Sequence, residues 1–593
     1  MSAASRRRRA RTAPSSTRAR RRAGAAGVAA GLLLAAAGIG AGPAPIPVRE
    51  LAARACTTRV GTAAALTVAL SAAPRGRGGW VICLGPGRYR TNLDISRPEP
   101  VTLWGSGTGA TVLAPTTTQS VVTIGPAADV TLARLTVTGG LSGDPGGLVG
   151  TGAGIHTAGT LTLEQVAVSH NGCALMPGPG RPGPAADGSC QLTAVSHHTI
   201  NAGGIYNTGR LTLVASSVTQ NSGFEGGGLM NNHQGVIRLE DHSQVDRNGG
   251  PGTSDGGGIY NHHAATLVVS DSTVADNRTG SLDSSGGGIF NQAIGGARGR
   301  VVLVDAQVVG NSAQHIGGGI LNRGTLSIQS SQISGNHAGN NGGGILNVGA
   351  LTVTSSRLEA NTAGRGELPY GGGAVYNAAG SSMTMSATLL SGNQARYGAA
   401  VDDEAAHVVI RGSTLESNGC LPPCGDPTGY GTLYSDVGAV VTVSGTTIAD
   451  NSTGRGGIFD NYGVRLLVSG SRISGNQDGG VYNQGHPGDP AQLQLVDSTL
   501  SGNLGAGGLL NYGVADLVTV TVSGNRSSSG GGGIANAGGV LVLTRTVVRD
   551  NRAAAGGGGV LNLGGTVTAG PGTEVSGNQP NNCQGLTSCP GTG

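Results

Sequence analysis

The sequence predicts an all-β fold, a parallel β-helix solenoid with a short N-terminal capping helix, and three observations carry it. A unit written most cleanly as GGGILNVGALTVTSSRLEAN, from Gly342 to Asn361, recurs at intervals of about 22 to 34 residues, the range of repeat architectures. Two asparagine series run in phase through these units. One closes the pattern Val/Ile/Leu-x-x-Asn fifteen times from Asn171 to Asn578, and the other follows the glycines from Asn207 to Asn562, with Asn461 read as a member. Between them lie short runs in which alternate residues are apolar, such as Leu211/Leu213 and Leu326/Ile328, the period of a strand with one face inward. A helical solenoid would need a 3.6-residue period, which these units lack.

The asparagines explain how such a unit stacks. Asn tolerates the left-handed backbone region, so it is expected to turn a corner of each coil. Successive coils lie about 4.8 Å apart, and amides at that spacing can hydrogen-bond along the stack. The glycines supply backbone freedom at another corner.

In chain order, residues 1–42 read as a secretory signal peptide: nine arginines between Arg6 and Arg22, an Ala/Gly/Leu run, then Pro43, Pro45 and Pro47. An uncleaved anchor is the lesser alternative. Residues 43–79 are read as a linker and a capping helix, centred on GTAAALTVALSAA from Gly61 to Ala73 with Leu66 and Leu70 on one face. The repeats occupy residues 80–580, and residues 581–593 form a tail closed by Cys583 and Cys589. The helix is expected to cover the open first coil, because an exposed strand edge invites aggregation.

Eight cysteines fall in four local pairs, Cys56/Cys83, Cys173/Cys190, Cys420/Cys424 and Cys583/Cys589, which favours disulfides in an exported chain. All 37 basic residues are Arg, and removing the nine in the signal leaves 28 against 32 Asp plus Glu, a mature net charge of −4 rather than +5. That balance gives no support for a nucleic-acid partner. No membrane span is expected in the mature chain, which is read as a monomer.

The segments GGWVICLGPGRYRTNLDI and PVTLWGSGTGATVLAP resemble the opening coils of pectate-lyase-like right-handed parallel β-helix proteins. From Gly152 onward, Gly-Gly-Gly-Ile-x-Asn alternating with apolar-x-x-Asn is similar to the repeats of the polymorphic outer-membrane protein family, although Val, Ile or Leu stands where that family has Phe. The resemblance implies a right-handed β-helix that is secreted or displayed at the cell surface. It carries no outer-membrane anchor, because nothing here resembles an autotransporter barrel.

Chemistry is sought where the repeat breaks. The second series reads Asp403 in GAAVDDEAAH and Asp436 in GTLYSDVG, with Asp402 and Asp460 in the neighbouring position. Asp403 and Asp436 on adjacent coils would lie one strand spacing apart, close enough to share a proton or bind a cation such as calcium. Paired carboxylates also serve glycosidases. The plainer reading is that Asp replaces Asn as a corner residue. His233 and His263, each two residues past a series Asn, should stack beside His262, either as a metal site or as exposed turn residues. No other cofactor is implied. The functional expectation is a non-catalytic exported scaffold for adhesion or glycan binding, with a polysaccharide lyase or glycoside hydrolase centred on Asp402, Asp403 and Asp436 as the alternative.

Overall fold

The structure is a computed structural model describing residues 56–72, 79–117, 119–142, 151–173, 201–250, 253–364, 371–421, 430–486 and 488–591. The signal segment, the Cys173/Cys190 loop and most of the Cys420 insertion lie outside the described residues. The described residues all belong to one compact unit, Arg54–Gly593.

The chain winds through about 18 turns of a right-handed parallel β-helix. One coil shows the plan. Strand Ile345–Asn347 lies in a third sheet, Ala350–Thr354 in a first, and Arg357–Glu359 in a second, each parallel to its counterpart one coil later. Register is exact to the residue, with Ile345 opposite Val375, Leu351 opposite Met383 and Leu358 opposite Leu390. Variation in repeat length is taken up in the loop before the glycines and, at Ala293–Arg298 and Gly485–Pro490, in a hairpin after the third-sheet strand. Ile345, Leu351, Val353 and Leu358 are buried, and each such side chain removed from water is worth about 1.5–3 kcal/mol.

The first asparagine series forms a continuous buried ladder. Asn361 donates through Nδ2 to Asn393 Oδ1 at 3.0 Å and to Ile333 O at 2.9 Å, while its Oδ1 accepts from the backbone N and Nδ2 of Asn336 at 3.1 and 3.0 Å. The same link runs from Asn171 through Asn578 and ends on Asn582. The left-handed corner, however, is not on the asparagine. In all fifteen coils it falls on the residue before, with φ between 52° and 67°, whether that residue is Gly, as at Gly335, or His170, Gln220, Arg247 or Ala360. Asn is therefore required for its amide and not for its backbone.

The glycines preceding each third-sheet strand have separate reasons. Gly342 takes φ of +70°, while a Cβ on Gly343 would come within 2.5 Å of Thr362 backbone, and one on Gly344 within 3.1 Å of the Asn361 amide. A third ladder was not anticipated. Buried Ser and Thr at the turn between the first two sheets accept from the backbone one coil earlier, as Ser356 Oγ does from Ser331 N at 3.1 Å and Ser471 Oγ from Thr446 N at 3.1 Å.

At the N-terminal end the helix Ala63–Ser71 is capped by Thr62, whose hydroxyl accepts from Ala65 N at 3.2 Å, and it buries Leu66 and Ala69 against the first coil. The strand stack starts before this helix, since Thr58–Val60 already pairs with Trp80–Leu84. At the other end Cys583–Gln584 still pairs with the coil below. Disulfides join Cys56 to Cys83 and Cys583 to Cys589, and Cys420 is also disulfide-bonded. Among the described residues no helix is long and apolar enough to cross a membrane.

Replacing Asn361 with Ala strips the partners from at least one buried donor and one buried acceptor, and should cost about 3–5 kcal/mol in chemical denaturation. Replacing Ala360 with Gly relieves a left-handed alanine and should stabilise by about 0.5–1 kcal/mol in the same measurement.

Candidate functional site

Alternation along one third-sheet strand builds the site. In Val401–Glu404, Val401 and Asp403 point inward while Asp402 and Glu404 point outward. Pairing then fixes three rows across the coils. Asn377, Asp403, Ser435, Asp460 and Asn483 form the inward row; Tyr376, Asp402, Tyr434, Phe459 and Tyr482 form the outward row; and Glu404 faces Asp436.

This corrects two assignments made from sequence. Asp436 is not in the asparagine series and does not pair with Asp403, and Asn461 is not a member either. Ser435 and Asp460 hold those places. The period-two alternation counts from the buried Leu433 and Ile458, so the second residue after each turns inward and the third outward, whatever its chemistry. The carboxylates one strand spacing apart are Glu404 and Asp436. Glu404 was missed because it follows the doublet Asp402–Asp403, which drew attention to itself.

The outward face couples these acids to phenols. Tyr376 donates its hydroxyl to Glu404, and Tyr434 donates to Asp436 Oδ2 at 2.7 Å. Burial first, and then these carboxylates, push both phenols well above their ordinary range. Asp402 lies between the two tyrosines and is 6% exposed. Burial, then Glu404, Asp403 and Asp436, hold its carboxyl well above the usual range. Its Oδ2 occupies the space that a side chain at Gly371 would need.

Aromatic rings extend the face along the axis. Tyr397 stacks on Tyr430 at 4.7 Å, Tyr430 meets Phe459 edge-on at 4.9 Å, and Phe459 stacks on Tyr482 at 4.9 Å. The Arg455 guanidinium lies 4.8 Å from the Tyr430 ring and 5.4 Å from that of Tyr482, within cation–π range. The turn carrying Asp436 lies beside the next one, where Gly438 N donates to Tyr462 O at 2.7 Å. Tyr462 is 44% exposed and stacks on His486 at 3.8 Å, and Tyr512, one coil further, is 38% exposed. From Glu404 to Tyr512 the strip crosses four coil spacings, about 19 Å at 4.8 Å each.

Two other clusters were read differently or not at all. His233 and His263 stack as expected, with ring centroids 5.7 Å apart. His262 is buried, not an exposed turn residue, and its Nδ1 lies 3.0 Å from Asn232 Oδ1; burial, then His263 and His233, push it down to about 4. Glu225 and Asp255 bridge adjacent coils, and burial raises them to about 7 and about 6. Their signal was an acid directly before the glycine triplet in consecutive units. Among the described residues, the group placed to hold a metal ion is the exposed Asp241, His242 and Asp271, which put one ligand atom each within 4.8 Å of one another.

Of the comparisons with known proteins, one family model agrees with the fold. The family model of the right-handed beta helix region matches residues 378–553. No curated protein matches the sequence. Among solved structures, a pectin methylesterase in complex with a hexasaccharide is similar at 13% identity over 43% of this chain and 80% of its own, with a TM-score of 0.25. The A-module of an Azotobacter vinelandii mannuronan C-5 epimerase is 14% identical over 83% of this chain and 91% of its own, with a TM-score of 0.14. A PL6 family alginate lyase is 11% identical over 88% and 99%, with a TM-score of 0.15. Similarities of this size establish neither activity nor substrate.

Replacing Gly371 with Ala should displace the Asp402 carboxylate and cost about 1–3 kcal/mol in urea unfolding. In an Asp402→Ala background the same change should cost little, so the two effects will not add.

Proposed function

We propose that this protein is an exported β-helix scaffold that binds a linear polysaccharide or a glycan-bearing cell surface along the outer edge of its third sheet. The observation that carries the reading is the strip from the Glu404–Asp436 pair, each acid holding a tyrosine hydroxyl, to the exposed Tyr462–His486 stack and Tyr512. Carboxylates accept hydrogen bonds from sugar hydroxyls, and flat rings offer apolar faces to pyranose C–H groups. A straight edge with a fixed axial repeat suits an extended polymer better than a compact ligand. The disulfides and the arginine-rich leader support export, and the repeats' similarity to polymorphic outer-membrane proteins supports a surface setting.

Glycoside cleavage is the second reading, favoured by one observation: Asp402, its carboxyl held well above the usual range, stands beside Glu404 and Asp436, a grouping that acid–base hydrolysis could use. In it Asp402 would protonate the leaving oxygen, and Glu404 or Asp436 would activate water or attack the sugar carbon. Binding is preferred because Asp402 is buried beneath the face and out of a polymer's reach.

The mature chain should retain a linear polysaccharide in a binding screen and release no new reducing or unsaturated ends. The Glu404→Gln/Asp436→Asn variant should weaken that binding tenfold or more, about 1.4 kcal/mol, and Tyr462→Ala should weaken it as well. Product release by the wild type that disappears in Asp402→Asn would replace the binding reading with the enzymatic one.

A further inference from the structure

The second asparagine ladder runs from Asn207 to Asn377, each Nδ2 donating to the next Oδ1, and resumes from Asn483 to Asn562. Asp403, Ser435 and Asp460 fill the places between, at 0%, 1% and 0% exposure. Asn377 Nδ2 donates to Asp403 Oδ1 at 2.9 Å, as it would to an asparagine. There the donors stop. Asp403 Oδ2, Ser435 Oγ, both carboxylate oxygens of Asp460 and Asn483 Oδ1 are buried without a hydrogen-bond partner.

The regular ladder defines what those oxygens should do. Nδ2 of Asn347 donates both to Asn377 Oδ1 and to Ser382 O, at the start of the next first-sheet strand, and Asn483 donates likewise to Val514 O at 3.0 Å. In Asp403 the corresponding atom is Oδ2. An ionised carboxylate would turn a second acceptor toward acceptors in a buried row. A carboxylic acid has the shape of a carboxamide and keeps one donor and one acceptor. Ser435, with a hydroxyl in place of the carboxamide, does not reach along the row as an asparagine does, and its Oγ is buried without a partner between the two acids.

We propose that Asp403 and Asp460 serve as neutral carboxylic acids in the asparagine ladder, making the coils from Val401 to Asn483 a proton-dependent joint in the solenoid.

The surroundings agree. Asp402 and Glu404 on the same strand and Asp436 on the next are all acidic, and the outward row adds the phenols of Tyr376, Tyr434 and Tyr482. His407 and Arg465, at the starts of the facing first-sheet strands, are exposed. Burial pushes Asp403 up to about 7, against the pull of its Asn377 bond, and pushes Asp460 well above the ordinary range. An aspartate whose pKa is raised on folding stays protonated while the unfolded chain ionises. Stability is therefore full below about 4 and falls as pH rises through the Asp403 value of about 7. This inference does not depend on the glycan reading.

The test compares wild type with Asp403→Asn/Asp460→Asn by thermal melting from pH 4 to pH 8, in EDTA and again with calcium chloride. The wild-type midpoint should fall by about 3 °C or more beyond any fall in the variant, and the variant should be the more stable at pH 8. Infrared spectra at pH 6 should contain more protonated-carboxyl absorption in the wild type than in the variant, whose remaining absorption belongs to the other buried acids such as Glu225. Should the double variant not fold, single Asp403→Asn carries the same comparison. Parallel melting curves would overturn the proposal, as would calcium restoring only the wild type at pH 8, since the oxygens would then hold a cation instead of protons.

Discussion

The buried amide ladder is the interaction on which the rest of this molecule depends. A solenoid coil has no other neighbours than the coils above and below it, so whatever sits at an inward corner must be satisfied along the axis. Asparagine does this with one donor pair and one acceptor, repeated at the strand spacing. Apolar columns on either side then need no adjustment from coil to coil, and loops can lengthen where the chain enters the third sheet or, as hairpins, where it leaves. The ladder also explains why a left-handed corner is tolerated on Gln220, Arg247 and Ala360: the strain of the preceding residue is fixed in place by the hydrogen bonds of the next.

The same constraint joins interior and exterior at the candidate site. Because strand side chains alternate, the run Asp402–Asp403–Glu404 sends one acid into the ladder and two to the outer face, within one strand. Tyr376 then ties Glu404 to the coil before it, and Tyr434 holds Asp436 within its own strand. The position of Glu404 against Asp436 is set by the inward row, so the spacing of the outer carboxylates is held by residues that a ligand never touches.

The parallel β-helix, its capping helix, the first asparagine ladder and the His233–His263 stack were legible in the sequence, because each rests on a short-range pattern repeated many times. The Ser/Thr ladder was equally repetitive but chemically ordinary, and serine in a turn gives no reason to suspect burial. Asp436 and Asn461 were misplaced because residue identity was followed where distance from the nearest core residue was the true guide. Glu225 and Asp255 were overlooked because they stand outside both asparagine series.

By itself, then, the sequence determined the coil: its period, its inward residues and the need for an amide at its corner, since all of these are satisfied between neighbouring repeats. Only the tertiary structure decided which acids meet. Whether Glu404 faces Asp436, or Asp403 faces Ser435, depends on register between strands about 30 residues apart, and a shift of one residue exchanges the buried and exposed sets entirely.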